Sequence, residues 1–415
     1  MTATQRKTVF IVVGRGFIAK SILRSGVLEE LKKRGHRVVI FFFDVYRKGL
    51  PESLRREFED SHVTLEAVPA HAPQRFYRRF KILTAPLVYN VNNRKFRYLS
   101  TGKSKFSMYL EISLFSVMSR LPFLKSLARF IERTVFDHHF YRGYFETYKP
   151  DVVFSTSIIS SIDIEFLKTA RSLGVKTVGM PRGWDNVNAR FYPVLPDLLI
   201  VQNEDMKRDA VSLQGIPATR VVVSGFPQFD WYRKPKIIVL RDEFFRSRGL
   251  DPSKKLILWG STGRWTQKGT SMCDMLVKAV NTPGILSAPA QLLIRAHFSD
   301  AKSNRFDYLT NNQSVIIDDN LTRSDFFWDG ADPSTEELIK LANTLYHADL
   351  VIIQSSTLSL DALCFNKPVI NTAFQGLYDK DGNDITPILY TEDCYRPLVE
   401  FGAVDLVHDE TELVE

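Results

Sequence analysis

Small hydroxyl residues gather where apolar runs end. Ser355, Ser356 and Thr357 follow the run in "DLVIIQSS" and precede a helical pattern. The first N–H groups of a helix lack partners and carry partial positive charge. A phosphate can approach such a turn closely; Ser or Thr there also caps a helix with no ligand at all. Gly260, Ser261 and Thr262 close "KLILWGST" in the same way, as a phosphate turn or an ordinary strand-to-helix turn. His297 ends "LLIRAH", placed to hydrogen-bond a leaving phosphate or simply to pack. Arg264 and Arg295 are phosphate forks or surface charges.

Acid–base chemistry has two candidates. Asp185, beside Trp184, follows a strand and can take the proton of an attacking hydroxyl, or form an Asx-type turn with Asn186. Glu204 is the weaker base candidate. Arg15 and Gly16, in the first turn of the chain, and Arg182 form a set for an anionic acceptor or donor phosphates. Asp318-Asp319 and Asp379/Asp381 approach a metal site most nearly, but turn chemistry explains both, so no metal and no resident cofactor is expected. "GRGFIA" after a strand, with Asp44 ending the next one, fits the dinucleotide fingerprint in outline. A nicotinamide-linked oxidoreductase or epimerase is therefore an alternative, although Arg15 would crowd a pyrophosphate.

The elements that must position these residues alternate. "TVFIVVGRGFIAKSILRSGVLEELKKRGHRVVIFFFD" reads strand, glycine turn, helix, Gly35 stop, strand. Ile18, Ile22, Leu23, Val27, Leu28 and Leu31 predict one helix. "VTLEAVPA", "DVVFSTS", "KTVGMPRG", "DLLIVQN" and "RVVVSGFP" add five strands. A second set runs through "KLILWG", "AQLLIRAHF", "QSVIIDD", "DLVIIQSS" and "KPVINT", with helices at 268–281, 334–348 and 358–365. The reading is α/β: two doubly wound Rossmann-like domains whose strand ends face a cleft. Residues 1–230 form the first, with a basic helical insertion at about 72–148. A linker spans 231–253, and 254–415 form the second.

At 415 residues the chain exceeds one ordinary core. Cys273, Cys364 and Cys394 are too widely spaced for a disulfide or metal framework, which fits a reducing compartment. The apolar run Val9–Val13 is too short for a signal peptide, and no stretch approaches a membrane span. A cytoplasmic protein, peripheral at the inner face of a membrane, is expected.

"HADLVIIQSSTLSLDALCFNKPVI" resembles the donor-site segment of GT-B glycosyltransferases. The family pattern is Ala-Asp, a strand, a Ser/Gly-rich turn, an acidic residue one helical turn on, and a Gly-Lys-Pro-Val-Ile strand. Ala348-Asp349, Ser355-Ser356-Thr357, Asp361 and Lys367-Pro368-Val369-Ile370 stand in those places, with Asn366 for the glycine. "RVVVSGFPQFD" and "VGMPRGWDN" are similar to segments of the CDP-glycerol glycerophosphotransferase-like and bacterial surface-polysaccharide branches. The resemblance implies the GT-B fold and a metal-independent transfer from a nucleotide-diphosphate sugar to a glycan or lipid-linked acceptor in cell-envelope polysaccharide biosynthesis. A CDP-glycerol-type polyol-phosphate transferase and a non-catalytic nucleotide-sugar or polysaccharide-binding protein are alternatives. It also implies that the turn 355–357 holds the diphosphate and Asp361 the ribose; a solvent-facing carboxylate is the other reading of Asp361.

Between His71 and Arg142, fourteen Lys/Arg stand against three acidic residues. Arg75, Arg78, Arg79, Lys81, Arg94, Lys95, Arg97, Lys103 and Lys105 lie among Phe and Tyr. No nucleic-acid-binding module accompanies them. Residues 75–105 thus suit an anionic membrane surface or a charged lipid-linked glycan, or form a solvated face. At the other end "FGAVDLVHDETELVE" reads as a Gly-Ala-Val strand, a cap at Asp409 or Thr411, and one helical turn. In the family such closing helices continue, so a truncated chain or a missing following domain is expected.

Overall fold

The computed structural model describes residues 6–69, 75–100, 104–136, 140–263, 271–297, 300, 304–318, 326–327, 334–379 and 381–415. They divide into two compact units, Met1–Gln228 with Ser324–Asp332, and Phe229–Arg323 with Pro333–Glu415.

The first unit is built on β1 (Thr8–Val13), β2 (Arg37–Asp44), β3 (Val63–Pro69), β4 (Val152–Ser155), β5 (Lys176–Gly179), β6 (Leu198–Val201) and β7 (Val221–Val223). They form one parallel sheet in the order β3-β2-β1-β4-β5-β6-β7. Strands of such a sheet are covered on both faces, which is why they read as unbroken apolar runs. β1 shows the division. Val9, Ile11 and Val13 join one core cluster, while Phe10 and Val12 join another on the opposite face with Phe41, Phe145 and Phe166. Phe326 and Phe327 belong to the first of these clusters, with the Phe327 ring 6.0 Å from that of Phe42.

The predicted first helix is broken. A short turn, Gly16–Ile18, runs into a π-helical turn, Ala19–Leu23, and a separate helix spans Gly26–Lys33. Apolar periodicity runs through the break, but Ser25 caps the second piece through the N–H of Val27. Arg24 is buried and forks onto Glu57 at 2.6 and 2.7 Å. Helices Arg75–Thr84, Val91–Ser100, Lys105–Ser119, Pro122–Val135 and Arg142–Tyr148 make up the basic insertion. Arg129 ties it to the sheet domain by donating to the carbonyls of Tyr192 and Gln214.

The second unit carries β8 (Lys255–Gly260), β9 (Ala290–Arg295), β10 (Val315–Asp318), β11 (Leu350–Ile353), β12 (Val369–Thr372) and β13 (Asp405–Val407), in the order β10-β9-β8-β11-β12-β13. All pairs are again parallel. Helices Ser271–Asn281, Thr335–His347 and Thr357–Leu363 connect them. Asn366 takes the left-handed conformation (φ 53°) just before β12, as a glycine substitute must. The last strand lies at Asp405–Val407 and not at residues 402–404, because Gly402, at φ 68°, is still unwinding the helix Arg396–Glu400. Asp409 caps the closing turn Glu410–Val414 by accepting from Thr411 and Glu412.

Candidate functional site

In the second unit the strand order reverses between β8 and β11, which are neighbours although far apart in sequence. Open α/β sheets bind ligands at the carboxyl end of such a switch point. Both hydroxyl-rich turns of the sequence emerge there. Gly260, the last residue of β8, lies opposite Ile353 of β11 and Arg295 of β9. A Cβ on Gly260 would come within 2.7 Å of the Ile353 side chain and 3.0 Å of that of Leu358, so this approach needs glycine.

The turn after β8 is braced from behind. Ser261 is buried, and its hydroxyl donates to Asp300 at 3.0 Å while accepting from the backbone N–H of His297 at 2.9 Å. Arg305 bonds both Asp300 and the Gly263 carbonyl. Ser261 therefore positions the turn, and Thr262 beside it is half-buried. His297 is half-buried too. Burial holds its imidazole below the usual histidine range, opposed by the Asp300 carboxylate. Arg264 lies outside the described residues.

Arg295 is not a free fork. Its guanidinium is 2.9 Å from Asp318, which also meets Arg248 at 2.8 Å and Lys340 at 3.3 Å. These three cations hold the Asp318 carboxyl below its usual range despite burial. Asp379 accepts from the N–H groups of Asp381 and Asn383 and so closes its own loop. Among the described residues no cluster of three or more His, Cys, Asp or Glu forms a metal site.

The turn after β11 rests on a buried polar frame. Ser355 N–H donates to the Tyr390 hydroxyl at 3.0 Å, which donates onward to the Thr372 carbonyl. Ser359, Tyr395 and Asn371 hydrogen-bond one another beneath it, and Asn371 also reaches the Ile353 carbonyl. Ser356 caps the following helix through the N–H of Leu358, and Thr357 is exposed. That helix has seven residues, so its dipole alone is a small contribution. Asp361 is not solvent-facing. It is 5% exposed and accepts a 2.6 Å bond from the Tyr232 hydroxyl.

In the first unit the switch point falls between β1 and β4. Arg15 and Gly16 follow β1; Arg182, Trp184, Asp185 and Asn186 follow β5; Glu204 follows β6. All share the carboxyl edge of one sheet. The Arg182 guanidinium sits 6.0 Å from the Phe17 ring, beside the first turn. Asp185 is exposed and accepts from the Asn186 side chain at 2.6 Å, leaving its second oxygen for other partners. Glu204 starts the helix Glu204–Ser212, where the dipole favours an acid. Asp44 closes the turn after β2 by accepting from the N–H groups of Lys48 and Gly49. Each oxygen takes one of these N–H groups, so the carboxylate is held within its own turn.

One buried cluster escaped the sequence reading. Asp163 accepts from Ser155, Ser160 and the N–H of Ser157, under the Gly14 turn. Burial raises its carboxyl pKa, against the pull of those donors. The run Ser155-Thr156-Ser157 with Ser160-Ser161 and Asp163 in the first helical turn was the available signal.

No protein-family model matches the chain, and no curated protein sequence matches it. Solved structures do. A protein assigned as a UDP-N-acetylglucosamine 2-epimerase from Listeria monocytogenes is 11% identical, with a TM-score of 0.55 over 99% of this chain and 86% of its own. The S. aureus MnaA–UDP complex is 13% identical, with a TM-score of 0.52 over 98% and 86%. The Neisseria meningitidis UDP-GlcNAc 2-epimerase bound to UDP-GlcNAc is 15% identical, with a TM-score of 0.51 over 98% and 89%. At such identities the likeness concerns the fold, and the chain has the GT-B fold of two Rossmann-like domains.

Proposed function

We propose that the protein is an enzyme acting on a nucleotide-diphosphate sugar, transferring the sugar to a glycan or lipid-linked acceptor without a metal or resident cofactor. The observation that carries the reading is the pair of turns, 260–262 and 355–357, brought side by side at the switch point of the second sheet. Thr262, Ser355, Ser356 and Thr357 face the diphosphate, and His297 hydrogen-bonds the departing phosphate. Burial disfavours the charged imidazole of His297, and a phosphate beside it favours that form. Such preorganised donors stabilise a leaving diphosphate electrostatically. Asp185 takes the proton of the acceptor hydroxyl, with Glu204 the substitute, while Arg15 and Arg182 hold an anionic acceptor.

A second reading is a nucleotide-sugar 2-epimerase, favoured by the likeness to the Listeria monocytogenes and Neisseria meningitidis proteins, both named as UDP-N-acetylglucosamine 2-epimerases. Thermal-shift screening with UDP, GDP, CDP, CMP and their sugars tests the shared premise, since a bound ligand raises apparent stability by mass action. No shift with any nucleotide refutes both readings. Proton NMR of the preferred UDP-sugar, incubated with enzyme and no acceptor, then separates them: a C2 epimer in solution refutes transfer. In the Ser356→Ala/Thr357→Ala double variant, nucleotide affinity should fall with the fold intact. Asp185→Asn should lower kcat with little change in donor affinity.

A further inference from the structure

Two cavities lie end to end along the helix Pro122–Val135 of the first unit. One, of about 520 Å³, is lined by Arg120, Lys125 and Arg129. The other, of about 640 Å³, is lined by Arg129, Arg133, Arg171 and Arg220. They share Ser126, Arg129 and Gly215, so they form one groove. Among the described residues no carboxylate lines either cavity.

Lys125 is only 7% exposed, yet no hydrogen bond or ion pair with the described protein holds it. A buried, uncompensated ammonium is costly unless an anion joins it. Arg120 and Arg171 likewise have no side-chain partner among the described residues. The carboxyl end of the helix Glu204–Ser212 lines the first cavity through Val211 and Ser212. Its partial negative charge of roughly half a unit is small against three cations.

The same helix is amphipathic in an unusual sense. Lys125, Arg129 and Arg133 recur every four residues along the groove. Phe123, Leu127 and Phe130 form the adjoining stripe and are exposed by 62%, 49% and 54%. Leu127 and Phe130 line the second cavity, so the apolar stripe is one bank of the cationic groove. The preceding helix Lys105–Ser119 exposes Phe106, Leu110, Leu114 and Val117 at helical spacing. Cations beside bare aromatic and aliphatic side chains match an interface with phosphate on one side and hydrocarbon on the other. No helix among the described residues is long and apolar enough to cross a membrane.

We propose that this groove docks the protein on an anionic phospholipid bilayer, with headgroup phosphates in the two cavities and Phe123, Leu127 and Phe130 in the acyl boundary. None of the groove's lining residues belongs to the candidate site, so the inference stands whether or not the nucleotide-sugar reading does.

The test is vesicle flotation of the full chain. Vesicles of phosphatidylcholine with phosphatidylglycerol should carry the protein upward, and vesicles of phosphatidylcholine alone should not. Arg120→Gln/Arg133→Gln/Arg171→Gln should weaken partition roughly a hundredfold, as expected for three surface cations near an anionic leaflet. Phe123→Ser/Leu127→Ser/Phe130→Ser should abolish it. All six positions are exposed, so both variants should keep the parent's circular dichroism and melting temperature. Equal partition to neutral vesicles, or an unchanged arginine variant, overturns the proposal. So does a dimer, seen by sedimentation velocity, that the apolar variant abolishes, because the stripe would then face a second copy. Capture of soluble polyphosphate without flotation overturns the lipid reading as well.

Discussion

The bond between Tyr232 and Asp361 allows a double-mutant cycle. Tyr232 lies in the turn Pro227–Arg233, and Asp361 in the helix Thr357–Leu363, 129 residues away. The oxygen–oxygen distance is 2.6 Å, and burial with the adjacent carboxylate pushes the tyrosine pKa well up. The phenol thus stays protonated and donates. A buried hydrogen bond to a charged acceptor contributes about 1.5–3 kcal/mol net. Tyr232→Phe removes that bond alone, since the ring keeps its packing 4.9 Å from Phe365. For a unit of this size the loss should lower Tm by roughly 3–12 °C. Asp361→Asn should cost a similar amount, and the double variant little more than either single one. Urea unfolding of the four proteins gives the coupling energy directly. Additive single effects would show that the pair is not coupled. A drop in nucleotide affinity for Asp361→Asn, with no loss of stability, would instead return Asp361 to the ribose.

Asp318 offers a larger effect. Asp318→Asn leaves Arg248, Arg295 and Lys340 without their shared, nearly inaccessible carboxylate, and should destabilise the second unit by about 3–5 kcal/mol in urea unfolding. Acid should weaken the fold before carboxylates titrate. His297 and His347 both have folded pKa values below the ordinary one because of burial, so the unfolded chain binds protons first. Their contribution is complete above about pH 6.5 and is lost as pH falls through the depressed values. His347→Gln should flatten the slope of stability against pH in that window, and an unchanged slope would contradict the assignment.

Strand placement was legible in the sequence because a parallel sheet covered on both faces demands unbroken apolar runs, and these runs have few other uses. The two turns at 260–262 and 355–357 were legible for a related reason: glycine and small hydroxyls at the mouth of a strand are a local signal. Their adjacency followed only from the strand order, in which β8 and β11 lie next to each other. What periodicity could not reveal was set by distant partners. The first helix breaks at Arg24, a buried arginine whose partner Glu57 stands 33 residues on. Asp163 reads as an ordinary first-turn acid until three serines close around it.

The cationic groove shows the same limit from the other direction. Arg120 to Arg133, Arg171 and Arg220 come from three separate segments. Along the sequence the positive excess spans residues 71–142 and centres on 75–105, where Lys and Arg are densest. The shape of the groove depends on Gln214, which bonds the carbonyls of Val187 and Arg190 and receives the N–H of Tyr192. Arg129 then bridges the Tyr192 and Gln214 carbonyls to the helix Pro122–Val135. A charge map drawn along the sequence weights residues by how near they stand in the chain. Lys125 gains its significance from what is absent around it in space, a counter-charge among the described residues. Residue identity therefore located the two hydroxyl-rich turns, whereas only three-dimensional packing could show which cations lack a partner among the described residues.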